Sequence, residues 1–143
     1  MTAALVFTGL GYLVTAVGLR PADGAGRALL GIGGVAVLLT AWIPNSTAGR
    51  NAVSHMIATY LAYVALAVWP AVIARNRQDA PLVLRRRFGQ VTAVVLSVPV
   101  LLTIAEIATG GPTLGLRERV LTTAQAVAPL IVVIGCRVRP SAA

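Results

Sequence analysis

The sequence predicts an all-α fold, a polytopic transmembrane bundle of five spanning helices in a single domain, 1–143. Only 11% of the 143 residues are charged while 57% are hydrophobic, against roughly 25% charged in a typical soluble domain. Apolar blocks also recur along the chain with short polar links between them, and most are close to the roughly 20 residues that cross a bilayer core. This length favours one domain.

The five blocks cover approximately residues 2–19, 27–43, 52–74, 90–109 and 114–138. The first lacks a basic amino-terminal region and a small-residue cleavage site, so we interpret it as a spanning helix and not as a signal peptide. The tight link around Pro21 predicts a helical hairpin with the second block. Pro70, Pro99 and Pro129 fall inside the last three blocks, where membrane helices tolerate proline as a kink.

The strongly polar stretch at residues 75–87, RNRQDAPLVLRRR, predicts the orientation of the chain. Basic residues accumulate on the cytoplasmic side of membrane proteins. Alternating the blocks across the bilayer puts nine arginines on the side of this loop, and the loop supplies Arg75, Arg77, Arg85, Arg86 and Arg87. Three lie on the other side, Arg50, Arg117 and Arg119. The loop and the carboxyl terminus are therefore predicted to be cytoplasmic, and the amino terminus outside.

Charge and cysteine content restrict the partners. The net charge is +8 and all twelve basic residues are arginine, which with abundant Ala, Val, Leu and Gly is typical of a GC-rich, actinobacterial-like genome. Since most arginines lie in short links, anionic lipid headgroups are the expected partners and nucleic acid is not. The single Cys136 excludes an intrachain disulfide and a cysteine metal site. The predicted location is a bacterial cytoplasmic membrane.

Four polar residues, His55, Glu106, Glu118 and Arg119, are predicted to share the outer boundary. Ionisable groups in spans are functional hypotheses by default, so this cluster could bind a cation, relay protons or act on a lipid headgroup. The structural interpretation is that Glu106, one turn from its helix end, pairs with an arginine of the same boundary; Arg119 could pair with it or hold a lipid phosphate. One His with two acids falls short of a zinc site, and no metal or cofactor is predicted.

Several short motifs carry a family resemblance: LVTAVGLRP at the first turn, WIPN after the second block, His55 early in the third, and GPTLGLRERVLTTAQAVAPLIVV near the end. The chain resembles the bacterial membrane-protein family called domain of unknown function 998. The resemblance implies six helices, with one more crossing before those present here. Two explanations are open from the sequence, a gene model that starts at an internal Met and a five-helix variant of the family. The resemblance carries no established activity.

Three functions are open from the sequence. The favoured one is a non-enzymatic accessory or interaction protein, with a homo-oligomer or another membrane protein as partner, because glycine-rich helix faces permit close approach. The alternative is a lipid-headgroup-binding or lipid-modifying protein that uses the outer-boundary cluster. A small transporter is least favoured, since the helix centres offer little polarity beyond Ser97, Thr103 and Gln125.

Overall fold

The computed structural model describes residues 2–43, 50–73, 80–110 and 112–137. They form five α-helices and one short 3-10 turn, which confirms the all-α class. The elements are α1 (Thr2–Gly18), α2 (Gly24–Trp42), α3 (Arg50–Ile73), the 3-10 turn (Leu82–Leu84), α4 (Arg86–Thr109) and α5 (Leu114–Arg137). Four of the described helices, α2 to α5, are long and apolar enough to cross a membrane, while α1 has 17 residues and is shorter.

The helices pack in chain order. α1 packs on α2, α2 on α3, α3 on α4 and α4 on α5, whereas α1 and α5 barely touch. Consecutive long helices that pack side by side after a return link run in opposite directions. One end of the bundle therefore carries Arg20, Arg27, Arg85, Arg86, Arg87 and Arg137, and we call it the basic end. The opposite end carries the turn from α4 to α5, and we call it the turn end.

Glycines set the spacing of the first three helices. A Cβ on Gly9 of α1 would lie 2.8 Å from the Leu38 side chain of α2. On α2, a Cβ on Gly26 would lie 2.5 Å from the Cα of Ile73 in α3, and one on Gly33 would lie 2.6 Å from the Leu66 side chain. Small residues allow helices to approach this closely. These glycines of α1 and α2 are thus used for packing within the chain.

Two helices begin three or more residues earlier than the sequence predicts. α2 begins at Gly24 instead of residue 27, because the Asp23 side chain accepts a hydrogen bond from the Ala25 amide at 2.9 Å and caps the helix. α4 begins at Arg86 instead of residue 90. Arg86 and Arg87 therefore form the first turn of a helix and are not part of a loop.

Arg27, which the sequence assigned only to orientation, also closes the α1–α2 hairpin. Its Nε donates to the Ala16 carbonyl at 2.7 Å, and its terminal nitrogen donates to the Val17 carbonyl at 3.1 Å. The last carbonyls of a helix have no partner within the helix. Arg27 supplies donors to two of them and fixes the end of α1 against α2.

Candidate functional site

Glu106 closes the turn between α4 and α5. It lies in the last turn of α4 and is only 7% exposed. Its Oε1 accepts hydrogen bonds from the Thr113 amide at 2.7 Å and from the Thr113 hydroxyl at 2.6 Å. Its Oε2 forms an ion pair with Arg117, whose Nε also donates to the Thr113 hydroxyl at 3.1 Å. Both carboxylate oxygens are thus engaged by the start of α5.

Local backbone geometry brings these groups together. α4 ends at Gly110, which adopts the left-handed conformation with φ 67° and donates its amide to the Glu106 carbonyl. Glycine enters this region without steric cost, so it commonly terminates helices. The reversed chain then presents Thr113 and Arg117 to the carboxylate. A charged group inside an apolar helix is accommodated when it is paired and hydrogen-bonded in this way.

Glu118 faces a different helix. The Glu118 carboxylate lies near the hydroxyl of Tyr63 in α3. Two turns further along α5, Gln125 is 1% exposed and its Nε2 donates to the Tyr63 backbone carbonyl at 3.0 Å. Residues seven apart share a helix face, so Glu118 and Gln125 both lie on the side of α5 that faces Tyr63.

His55 joins α3 to the end of α2. Its Nδ1 lies 2.9 Å from the Ile43 carbonyl oxygen, and Ile43 is the carboxyl-terminal cap of α2. Because a carbonyl oxygen only accepts, Nδ1 carries the proton in this contact. The ring therefore satisfies a backbone group at a helix end.

The four predicted residues occupy the same end of the bundle but have separate partners. Glu106 pairs with Arg117, Glu118 lies near Tyr63, and His55 contacts the Ile43 carbonyl, while the Arg119 side chain is exposed. The arginine that pairs with Glu106 is thus Arg117 and not Arg119. In the described part of the chain, no three His, Cys, Asp or Glu side chains are grouped so that they could hold a metal ion.

The structure also describes part of the basic loop at residues 75–87. Arg85, Arg86 and Arg87 are exposed at the basic end, away from the polar residues of the turn end. Arg75 and Arg77 lie outside the described residues.

The sequence of the chain matches one family model over nearly its whole length. The model is described as protein of unknown function (DUF998), and it matches residues 1–135. The chain belongs to this family. No curated protein and no solved structure matches the chain. Together with its long apolar helices, this makes the DUF998 protein a multi-pass integral membrane protein.

The DUF998 bundle is open on one side. Between α1 and α5 lies a cleft of about 290 Å³, close to the lower limit of small-molecule sites. None of the side chains that line it is charged. They are Thr8, Gly11, Tyr12 and Thr15 of α1, and Ala126, Pro129, Leu130 and Val133 of α5. The cleft exists because the packing order of the helices leaves α1 covered mainly by α2.

Proposed function

We propose that this DUF998 protein is an accessory membrane protein that acts as a homo-oligomer, in which the open face of α1 packs against α1 of a second copy. The face consists of Thr8, Gly11, Thr15 and Gly18, and the first three of these residues also line the cleft between α1 and α5. Any other membrane protein that the assembly serves would be recruited through the dimer.

The observation that carries the proposal is the empty space around Gly11. A Cβ on Gly9, Gly33 or Gly34 would lie 3.0 Å or less from a neighbouring helix, whereas a Cβ on Gly11 would have no atom of the described residues within 4 Å. Glycine within a helix is less stable than alanine by roughly 0.5–1 kcal/mol. Internal packing accounts for the first three glycines. Close approach of another chain accounts for Gly11.

The side chains of this α1 face are suited to packing against the same face of a second copy. The hydroxyl of Thr8 donates to the Ala4 carbonyl and that of Thr15 donates to the Gly11 carbonyl, both at 2.8 Å. These threonines therefore present no unpaired donor to an apolar partner. Small residues three or four positions apart let two helices cross at short distance, and a two-fold dimer brings the same patch of each copy together.

Cysteine cross-linking in native membranes tests the proposal. In a Cys136→Ser background, we expect Gly11→Cys to give a disulfide-linked dimer on mild oxidation. Leu10→Cys is the matched control, because it lies at the same depth on α1 but points about 100° away. Gly11→Leu should abolish the dimer measured by size exclusion in mild detergent.

Two results would overturn the proposed homo-oligomer. One is equal cross-linking from positions 10 and 11. The other is a monomer that purifies with a different membrane protein bound at Gly11, which would assign the face to that partner. The lipid-headgroup alternative stays a prediction, and no contact at the turn end favours it over the structural roles of Glu106 and His55.

A further inference from the structure

We propose that the cleft between α1 and α5 binds the headgroup of an isoprenoid quinone, and that the hydroxyl of Tyr12 donates a hydrogen bond to a ring carbonyl. Binding at Tyr12 does not depend on dimer formation through α1, because Gly11 and Tyr12 lie about 100° apart around that helix. A second copy on the Gly11 side leaves the Tyr12 side of the cleft to a ligand.

The cleft offers a ligand one free hydroxyl donor. Thr8 and Thr15 also line it, but each of their hydroxyls already donates to a backbone carbonyl of α1 at 2.8 Å. Tyr12 lies between them along α1 and is 4% exposed, and its hydroxyl makes no hydrogen bond with the described residues. A buried tyrosine hydroxyl usually has a partner, and leaving one unpaired is costly. A ligand that accepts a hydrogen bond would supply the partner.

The Tyr12 oxygen is accessible to such a ligand. Among the described side chains, Trp69 Nε1 is the only polar atom that is both sealed from solvent and unpaired. The unpaired Tyr12 oxygen is therefore not sealed within the core. On the α2 side Tyr12 is closely packed, since a Cβ on Gly34 would lie 3.0 Å from the Tyr12 Cβ. The open space that Tyr12 borders is the cleft, so its hydroxyl is accessible there.

The lining selects an uncharged ligand. The wall that α5 contributes, Ala126, Pro129, Leu130 and Val133, is apolar, and the α1 wall carries no charge. A charged group in such a site would be removed from water without a partner, which is strongly unfavourable. A cleft of about 290 Å³ holds a small ring system, and its open side leaves an isoprenoid tail in the surrounding lipid.

The depth of Tyr12 favours a quinone over a glycerolipid. Tyr12 lies six residues before Gly18, the last residue of α1, which is about 9 Å along the helix axis. Helical side chains point toward the amino terminus, so the hydroxyl lies deeper still in a hydrocarbon core about 30 Å thick. The ester carbonyls of glycerolipids stay near the membrane boundary. A quinone ring is uncharged and carries its carbonyls into the hydrocarbon.

Native mass spectrometry of the purified full chain tests the site with two probes of the same shape. They are duroquinone and hexamethylbenzene, in which methyl groups replace the two carbonyl oxygens. We expect duroquinone to bind saturably. Tyr12→Phe should weaken duroquinone binding about two- to tenfold, which is the net contribution of a single hydrogen bond. Hexamethylbenzene binding should not change, and this reference also shows that the cleft of the variant is intact.

Tyr60→Phe is the matched control, because it removes a tyrosine hydroxyl from α3, which does not line the cleft, and it should leave duroquinone affinity unchanged. Leu130→Trp should block both probes, because the larger side chain fills the cleft from α5. Equal duroquinone affinity in Tyr12→Phe and the native chain, or an equal loss in Tyr60→Phe, would overturn the proposal.

Two further results separate this site from its alternatives. Displacement of duroquinone by dioleoylglycerol would assign the cleft to a glycerolipid ester and overturn the quinone site. A chain that binds duroquinone through Tyr12 but gives no cross-link from Gly11→Cys would overturn the dimer and support the quinone site on its own.

Discussion

At the scale of single residues, the acidic groups of the turn end are explained by their partners. Glu106 holds the start of α5 through Thr113 and Arg117. We expect Glu106→Gln to lower the thermal unfolding temperature in detergent, because the amide loses the ion pair and one hydrogen-bond acceptor. Arg119→Gln, an exposed residue of the same end, should leave the temperature unchanged. Equal temperatures for all three proteins would contradict the structural role.

A double-mutant cycle separates the ion pair from the hydrogen bonds. Removing one partner leaves the other charge unpaired, which is costly for Glu106 because its carboxylate is buried. The Glu106→Gln/Arg117→Gln variant should therefore be more stable than the sum of the two single losses predicts. Strict additivity would show that Glu106 and Arg117 do not interact.

The sequence could place Glu106 beside an arginine but could not choose which one. Arg117 and Arg119 are two positions apart, so they point about 200° apart around α5. The choice depends on the rotation of α5, which the buried contact of Gln125 with Tyr63 fixes. His55 was likewise predicted at the correct end. Its partner is the backbone carbonyl of Ile43, and backbone acceptors leave no residue-type signal in a sequence.

At the scale of helices, apolar length predicted the elements and local chemistry determined their starts. The apolar blocks of the sequence predicted the five helices. Hydropathy does not indicate, however, that a polar side chain caps α2 or that α4 begins with two arginines. The 3-10 turn was missed because its residues, Leu82–Leu84, stand inside a charged stretch and form a single turn. Their burial against α5 depends on a missing side chain at Gly135, a tertiary contact.

Two glycine substitutions test helix spacing, because they should change the free energy of unfolding in opposite directions. A Cβ at Gly26 would collide with the Ile73 backbone at 2.5 Å, and overpacking of this kind typically costs about 1–3 kcal/mol. Gly26→Ala should therefore lower the free energy of unfolding, measured in detergent. Within one chain, Gly11→Ala meets no atom of the described residues within 4 Å. In a detergent that keeps the protein monomeric, it should therefore raise the free energy of unfolding by roughly 0.5–1 kcal/mol through helix propensity. Destabilisation of the monomer by both substitutions would show that this face of α1 is covered within the chain.

At the scale of the whole molecule, the antiparallel order of the helices separates the charges between two ends. The described arginines outside the turn end, from Arg20 to Arg137, gather at the basic end, while Arg117 and Arg119 lie at the turn end. The count of arginines on each side of the membrane, made from the sequence, required only that the apolar blocks alternate across the membrane. The packing order now supports that alternation, and the positive-inside rule then predicts a cytoplasmic basic end.

Thiol labelling in intact cells tests this orientation. Cys136 is half-buried, so the more exposed Arg137→Cys in a Cys136→Ser background is the better probe of the basic end. We expect a membrane-impermeant maleimide to label Arg119→Cys in intact cells, and Arg137→Cys only after permeabilisation, because the arginine-rich end resists translocation. Labelling of Arg137→Cys from outside would reverse the orientation.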